Sequence, residues 1–265
     1  RGVVMRKKLL ILAPTTLLAG ALVAALAVML VGPHTASAEH AAFLTHHSVP
    51  AIHHSHNGKH STSSNWSGYA STGTKYTDVK GSWVEPTATC SSGQTAYSSF
   101  WVGIDGDTTG TVEQLGTDTD CSSGTPTYYG WWEMYPKGSN NLSTSSYPVR
   151  PGDTISAEVS TNGSGSFTLK MTDSTRGWTF TTNQSSRKAK LGSAEWIAEA
   201  PSSGGVLPLA NFGTVSFSNC TANGASISAN PNPDAITMAA NGVTKAVPSG
   251  LGSGGASFSV TWKHS

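Results

Sequence analysis

Residues 166–171 have the sequence SFTLKM, in which Phe167, Leu169 and Met171 alternate with polar residues. This period of two is typical of a strand with one buried face. The alternation returns at residues 258–262, FSVTW, and similar short stretches recur between turns rich in Gly, Asn, Ser and Pro. We predict strands at residues 64–71, 78–85, 98–104, 111–117, 127–135, 154–160, 166–171, 178–182, 194–199, 213–218, 235–239 and 256–263. The sequence therefore predicts an all-β fold, a large two-sheet antiparallel β-sandwich whose concave face can hold an extended polymer.

Charged side chains are scarce in the chain. Asp, Glu, Lys and Arg make up 12% of the 265 residues, as sixteen basic and fifteen acidic residues. Such a composition excludes a basic nucleic-acid-binding protein. Five of the basic residues and one of the acidic residues precede residue 61, so eleven basic and fourteen acidic residues remain beyond it. All eight Trp lie there as well, so we assign residues 62–265 to one domain and expect a monomer.

The N-terminal residues resemble a secretion signal. Residues 5–8, MRKK, precede a mainly apolar run over residues 9–31, and the small-residue motif TASA occupies residues 35–38. This order predicts a signal peptide, residues 1–38, that is removed after Ala38 to release a secreted, extracellular protein without membrane contact. The apolar run is also long enough to span a bilayer, so a retained membrane anchor is the alternative.

Histidine is almost confined to one segment. Seven of the nine His lie between residues 40 and 60, and only His264 lies beyond them. The folded domain therefore lacks the His that Ser-His-Asp catalysis, Cys-His catalysis and His-ligated zinc require. We assign residues 39–61 to a His-rich pro-segment or linker. A pH sensor that gains charge below about pH 6.5 and metal capture by His54 and His56 are further hypotheses for it.

The three Cys are interpreted as one disulfide and one free thiol, because an exported chain meets oxidising conditions. Cys90 and Cys121 flank a single stretch with turn signals at both ends, which makes them the predicted pair. Cys220 is then expected to be a small buried apolar side chain, since the domain offers no interior His to activate it.

Two strands carry carboxylates among large apolar residues. In GWWEMYP, residues 130–136, the strand period places Trp131, Glu133 and Tyr135 on one face and Trp132 on the other. In AEWIAE, residues 194–199, the same period places the two Glu and the Ile on one side. In a chain so poor in charge, carboxylates placed in this way are candidate catalytic groups.

A third segment, FWVGIDGD at residues 100–107, precedes VEQLG at residues 112–116. By itself, Asp105-Gly106 is a hairpin-turn signal. The spacing of the Asp residues in this part of the chain does not fit an EF-hand loop, so no metal site is predicted.

Five motifs in chain order resemble the glutamic peptidases, the eqolisin family. They are NWSG at 65–68, WVGIDG at 101–106, QLG at 114–116, WxExYP at 131–136 and AEWIxE at 194–199. The resemblance covers most of the domain. It implies a concanavalin-like jelly roll and a secreted acid endopeptidase of bacterial type that pepstatin does not inhibit. It implies neither a metal nor an organic cofactor.

The resemblance also implies roles for particular residues. The family's catalytic Gln matches Gln114, and its catalytic Glu closes the last motif and matches Glu199, with Glu195 as the alternative. The family positions that line or support the cleft match Trp66, Asp105, Trp131 and Glu133.

The residues can perform this chemistry on physical grounds. A carboxylate can take a proton from an attacking water, and a neutral amide can donate N–H to the developing oxyanion. We therefore predict hydrolysis of polypeptide substrates, with neither nucleic acid nor membrane as a partner. One alternative is a jelly-roll glycosidase that uses Glu133 and Glu199. The other is a lectin-like module without catalysis, whose sugar platform would be Trp66, Trp131 and Trp132.

Overall fold

A computed structural model of the chain describes residues 52–53 and 60–265. The predicted signal peptide and most of the predicted His-rich segment lie outside the described residues. The strands are β1 (Ile52–His53), β2 (His60–Ser63), β3 (Trp66–Thr72), β4 (Asp78–Val84), β5 (Thr95–Ile104), β6 (Val112–Ser122), β7 (Thr125–Tyr135), β8 (Asn140–Asn141), β9 (Thr154–Thr161), β10 (Ser166–Asp173), β11 (Trp178–Ser185), β12 (Ser193–Glu199), β13 (Thr214–Ala222), β14 (Ala225–Ser226), β15 (Pro233–Ala240), β16 (Val243–Pro248) and β17 (Phe258–Trp262).

The twelve predicted strands are all present, and the all-β prediction is confirmed. A single short 3-10 helix, Ile227–Ala229, is the one helical element of the described residues. Within the same residues, no helix is long and apolar enough to cross a membrane.

The strands form two antiparallel layers. In the first layer the order is β15-β3-β12-β5-β6-β7-β8, and in the second it is β11-β10-β9-β4-β13-β17-β16. The β15–β16 hairpin joins the two layers. β2 pairs with β15 in parallel and with β1 in antiparallel orientation, so strand pairing among the described residues begins at Ile52, before the domain start that the sequence predicts. The predicted two-sheet sandwich is therefore confirmed.

Alternation along each strand determines which side chains fill the interior. In β12, Ala194, Trp196 and Ala198 belong to the large core between the layers. Trp196 also donates its indole N–H to the carbonyl of Lys80, 2.6 Å away on β4. A buried aromatic side chain of this size contributes roughly 4–6 kcal/mol through the apolar area it removes from water. Glu195 and the other alternate residues of β12 consequently lie on the opposite face of the first layer.

Some strands escaped the sequence analysis for physical reasons. β8 and β14 have two residues each, which is too short for any periodicity to register. β16 has the sequence VTKAVP; of its six residues, only Ala246 is fully buried, and it ends in a proline. Its place in the sheet depends on the turn that follows β15 rather than on its own pattern.

The cysteine predictions are confirmed. Cys90 and Cys121 form a disulfide with 5.5 Å between their Cα atoms, and they are 31 residues apart. A loop of that length corresponds to about 3–4 kcal/mol of stabilisation in the chain-entropy account. Cys220 is a free, buried cysteine, and its burial raises the pKa of the thiol.

Candidate functional site

The face of the first layer that points away from the second layer carries the site residues, and we call it the site face. A separate cluster of large apolar side chains covers it, and among them are Trp66, Trp101, Trp131, Val112 and Ile197. The Trp66 and Trp101 rings pack edge to face with centroids 4.9 Å apart. These rings hold the polar side chains of the site face in an apolar setting, where hydrogen bonds and charges interact more strongly than in water.

Gln114 is fixed by its neighbour on the next strand. It lies directly opposite Glu133 in the β6–β7 register, and its Nε2 donates a hydrogen bond of 2.7 Å to the Oε2 of that carboxylate. In this contact the amide turns its N–H end towards Glu133. The Oε1 of Gln114 has no hydrogen-bond partner among the described residues. One N–H and the oxygen of a fully buried amide are thus left for a ligand.

Glu199 ends β12 and is held by two N–H donors. The indole Nε1 of Trp101 donates to its Oε2 at 2.7 Å, and the Nδ2 of Asn65 donates to its Oε1 at 3.1 Å. Asn65 is itself oriented by the hydroxyl of Ser63, which donates to its Oδ1 at 3.1 Å. Two fixed donors complement a carboxylate, which has no proton of its own to give.

Glu195 has the opposite kind of surroundings. Its side chain is fully buried, and burial, followed by the charges of Asp107 and Asp105, raises its pKa well above the usual value. It pairs across the sheet with Gly103, which on its other side pairs with Gln114. Glu195 therefore lies on the same row of the sheet as Gln114, and its raised pKa favours the neutral form.

The absence of a side chain at Gly103 keeps that row open. A Cβ at this position would lie 3.2 Å from the Cβ of Gln114 and 3.0 Å from the ring of Trp101. Glu199 pairs with Ser99, four residues from Gly103 along β5, which is roughly 13 Å at the rise of a strand. The register thus places Gln114 closer to Glu195 than to Glu199, although all three residues share one face.

Asp105 supports the site instead of forming a simple hairpin turn. It follows β5 with a φ of 68° and is completely buried. Its carboxylate accepts backbone hydrogen bonds from Lys190 and Gly192 at 2.7 Å and from Leu191 at 2.9 Å. The carboxylate thereby fixes the segment that leads into β12, on which Glu195 and Glu199 lie.

Two residues of this site were not predicted from the sequence. Asn65 and Trp101 belong to the quoted motifs but received no role, because the sequence does not reveal that both point their N–H groups at Glu199. Glu113 was not singled out either; it is next to Gln114 on β6 and lies on the opposite face, where burial raises its pKa to about 8, with Asp105 adding to the effect. For Trp101, the strand period that places it on the site face of β5 was the one signal that could have indicated its role.

The two alternatives fit the structure less well. Trp132 packs against the core between the layers, whereas Trp131 belongs to the site face, so the two cannot form one sugar platform with Trp66. The Glu133 of the proposed glycosidase pair is engaged with the amide of Gln114. Within the described residues, no group of three or more His, Cys, Asp or Glu is arranged to hold a metal ion.

Comparison with known proteins agrees with the motifs. Residues 64–262 match the model of the peptidase A4 family. Aspergillopepsin-2 of Aspergillus niger is 32% identical over 200 residues, which cover 66% of this chain and 70% of that protein. Scytalidopepsin B of Scytalidium lignicola is 34% identical over 187 residues, covering 65% and 69% respectively.

A solved structure supports the same assignment. Scytalido-glutamic peptidase, crystallised with a peptide-based transition-state analogue, superposes with a TM-score of 0.64 at 26% identity. The match covers 76% of this chain and 98% of that one. The chain therefore belongs to the peptidase A4 family, and it is a glutamic peptidase.

Proposed function

We propose that this protein is a secreted endopeptidase that cleaves polypeptides at acidic pH with Gln114 and Glu199 as its catalytic residues. The observation that carries the proposal is the amide of Gln114, which is buried, oriented by Glu133 and left with an N–H and an oxygen that the described residues do not engage. A neutral amide in this state can stabilise an oxyanion without depending on pH.

In the proposed reaction, Glu199 accepts a proton from water as the water oxygen bonds to the scissile carbonyl carbon. The second N–H of Gln114 donates to the oxygen that becomes negative. The proton then passes from Glu199 to the amide nitrogen, and the C–N bond breaks to give a carboxylic acid and an amine. No other group has to change its protonation state.

The choice of Glu199 over Glu195 rests on their neighbours. A base must be ionised at the working pH, and the two N–H donors from Trp101 and Asn65 suit an ionised Glu199. Glu195 retains its proton because its burial and the nearby acids raise its pKa. The strand register, however, places Glu195 closer to Gln114 than Glu199. Variants of the two residues must therefore be compared directly.

Unsatisfied donors on the site face support binding of a polypeptide. The indole Nε1 atoms of Trp66 and Trp131 are buried without a hydrogen-bond partner among the described residues. Buried donors are normally paired, and the carbonyl oxygens of an extended peptide would pair them. We include in the proposal that residues 1–38 direct export and are then removed.

Incubating the secreted protein with denatured casein between about pH 2 and pH 7, with and without pepstatin, tests the function. We expect cleavage on the acidic side that pepstatin does not block. Inactivity towards casein together with hydrolysis of a polysaccharide would favour the glycosidase alternative. Sugar binding without turnover would favour the lectin-like alternative.

A further inference from the structure

A groove lies at one edge of the sandwich, beyond the row of Gln114, where the end of β7 and the residues just before β6 meet the segment that follows β11. Its first part has a volume of about 490 Å³, and its lining includes Thr111, Tyr135, Arg187 and Lys188. Its second part has a volume of about 570 Å³ and shares Thr111, Arg187 and Lys188 with the first. The shared lining makes the two parts one continuous depression, which we call the basic groove.

The basic groove concentrates positive charge in a mildly acidic domain. Lys137, Arg187, Lys188 and Lys190 line it, and all four are exposed. They are four of the eleven Lys and Arg beyond residue 60. In the part of the chain that the structure describes, ion pairs involve Lys80 and Arg176, and none involves these four residues. Their charges are therefore available to a ligand.

One end of the segment that carries three of these cations is held in place. The carboxylate of Asp105 accepts the backbone N–H groups of Lys190, Leu191 and Gly192. A binding surface fixed in this way loses less entropy when a ligand binds than a mobile loop would. Asp107 and Glu113 also lie near the segment; the pKa of Glu113, about 8, keeps it neutral at acidic pH, so Glu113 does not cancel the positive charge.

The basic groove continues directly from the catalytic row. Tyr135 pairs with Val112 across β6 and β7, two residues from the pair that Gln114 forms with Glu133. Two residues of a strand span about 7 Å, which is the spacing of alternate side chains in an extended peptide. Tyr135 also packs against the apolar cluster of the site face. A substrate laid over Gln114 would therefore place its following side chains in the basic groove.

We propose that the basic groove is a specificity subsite that binds acidic side chains of the substrate, on one side of the scissile bond. The inference rests on the proposed peptidase function. Lys and Arg stay charged throughout the acidic range, whereas substrate Asp and Glu ionise near pH 4. The preference for acidic side chains therefore appears as pH rises through about 4 and is absent below about pH 3.

The test uses the full-length secreted enzyme and two sets of peptides that share one cleavage site. In one set a single Asp is moved through the positions on either side of the bond, and in the other set Asn replaces it. The ratio of kcat/KM for each Asp peptide to its Asn partner is measured at pH 3 and pH 5. Taking the ratio removes the effect of pH on the catalytic residues.

We expect the Asp peptides to be preferred several-fold at pH 5, on one side of the bond only, mainly through KM. R187Q combined with K188Q should remove most of this preference and leave cleavage of the Asn peptides unchanged. K245Q combined with K263Q is the matched control, because it removes the same charge from the second layer and should keep the preference. Added salt should weaken the preference of the unmodified enzyme.

Three outcomes would overturn the inference. They are equal rates for Asp and Asn peptides at pH 5, a preference on both sides of the bond, and equal loss in the R187Q/K188Q and control variants. Failure of the proposed function looks different, because then neither peptide set is cleaved.

Discussion

β12 carries two Glu residues in contrasting environments. Glu195 and Glu199 lie on one face, four residues apart, and are 0% and 1% exposed. Asp105 and Asp107 surround the first, and N–H groups from Trp101 and Asn65 point at the second. Burial alone favours a neutral acid at both positions, so the neighbours decide which Glu functions as a carboxylate. The roles of the two residues are therefore assigned by the turn before β3, by β5 and by the loop after β5, and not by their own strand.

The largest expected effect is that of E199Q. The change removes the base while keeping the size of the side chain, so kcat should fall by roughly 10²–10⁴. The melting temperature at acidic pH should change little, because an amide can still accept from Trp101 or Asn65. Casein cleavage at the optimal pH and thermal unfolding monitored by circular dichroism check the two halves of this prediction.

The matched experiment is E195Q on the same strand. If E195Q is the inactive variant and E199Q the active one, Glu195 is the catalytic base. The strand register, which places Glu195 beside Gln114, then predicts the base better than the hydrogen-bond donors around Glu199 do.

Gln114 comes next in expected effect. Q114A removes the proposed oxyanion donor, which should lower kcat by on the order of 10²–10³. Glu133 acts through Gln114 by holding its amide, so E133Q should cost less than Q114A, and the double variant should be no worse than Q114A alone. A Q114A enzyme with near-normal kcat would remove the amide from the mechanism.

The sequence predicted twelve of the seventeen strands because alternate side chains of a strand face the core. It also predicted that Glu195 and Glu199 share a face, since the period of two is a property of the strand. It could not distinguish them, because their contacts come from residues about 90 and more than 130 positions away in the chain, as with Asp105 and Asn65. Pairing between distant strands determines those contacts, and the alternation of residues within one strand does not show which strands pair with it.

A smaller effect is expected from N65A. Losing one of the two donors to Glu199 makes its ionised form less favourable, so the acid limb of the pH–activity profile should move to higher pH. At the optimal pH, kcat/KM should fall by about tenfold, the scale of one hydrogen bond to a charged group.

N65D sharpens this experiment. It has the same shape but replaces the donor with a carboxyl group, so it should move the acid limb further than N65A. If the acid limb of the pH–activity profile does not move in either variant, Asn65 does not influence the ionisation of Glu199.

Among the residues of the site, the smallest effect on activity belongs to E195Q. If Glu195 is a neutral acid at working pH, an amide resembles it closely, and kcat/KM at acidic pH should change by less than about tenfold. The effect should instead appear in the pH dependence of stability. A carboxyl group whose pKa is raised by folding stabilises the folded state below its ordinary pKa of about 4.3, and that stabilisation is lost as pH rises towards the folded value.

The melting temperature of the unmodified enzyme should therefore fall between about pH 5 and pH 8, and that of E195Q should fall less steeply. One group accounts for up to about 1.4 kcal/mol per pH unit. Glu85 is the matched control: it is buried away from Gln114, it accepts hydrogen bonds from Trp83, Thr117 and Thr119, and burial raises its pKa to about 8. E85Q should flatten the same stability curve and leave activity unchanged. If E195Q unfolds with the steep pH dependence of the unmodified enzyme while E85Q does not, Glu195 is ionised in the folded state, and the contrast between the two Glu residues of β12 disappears.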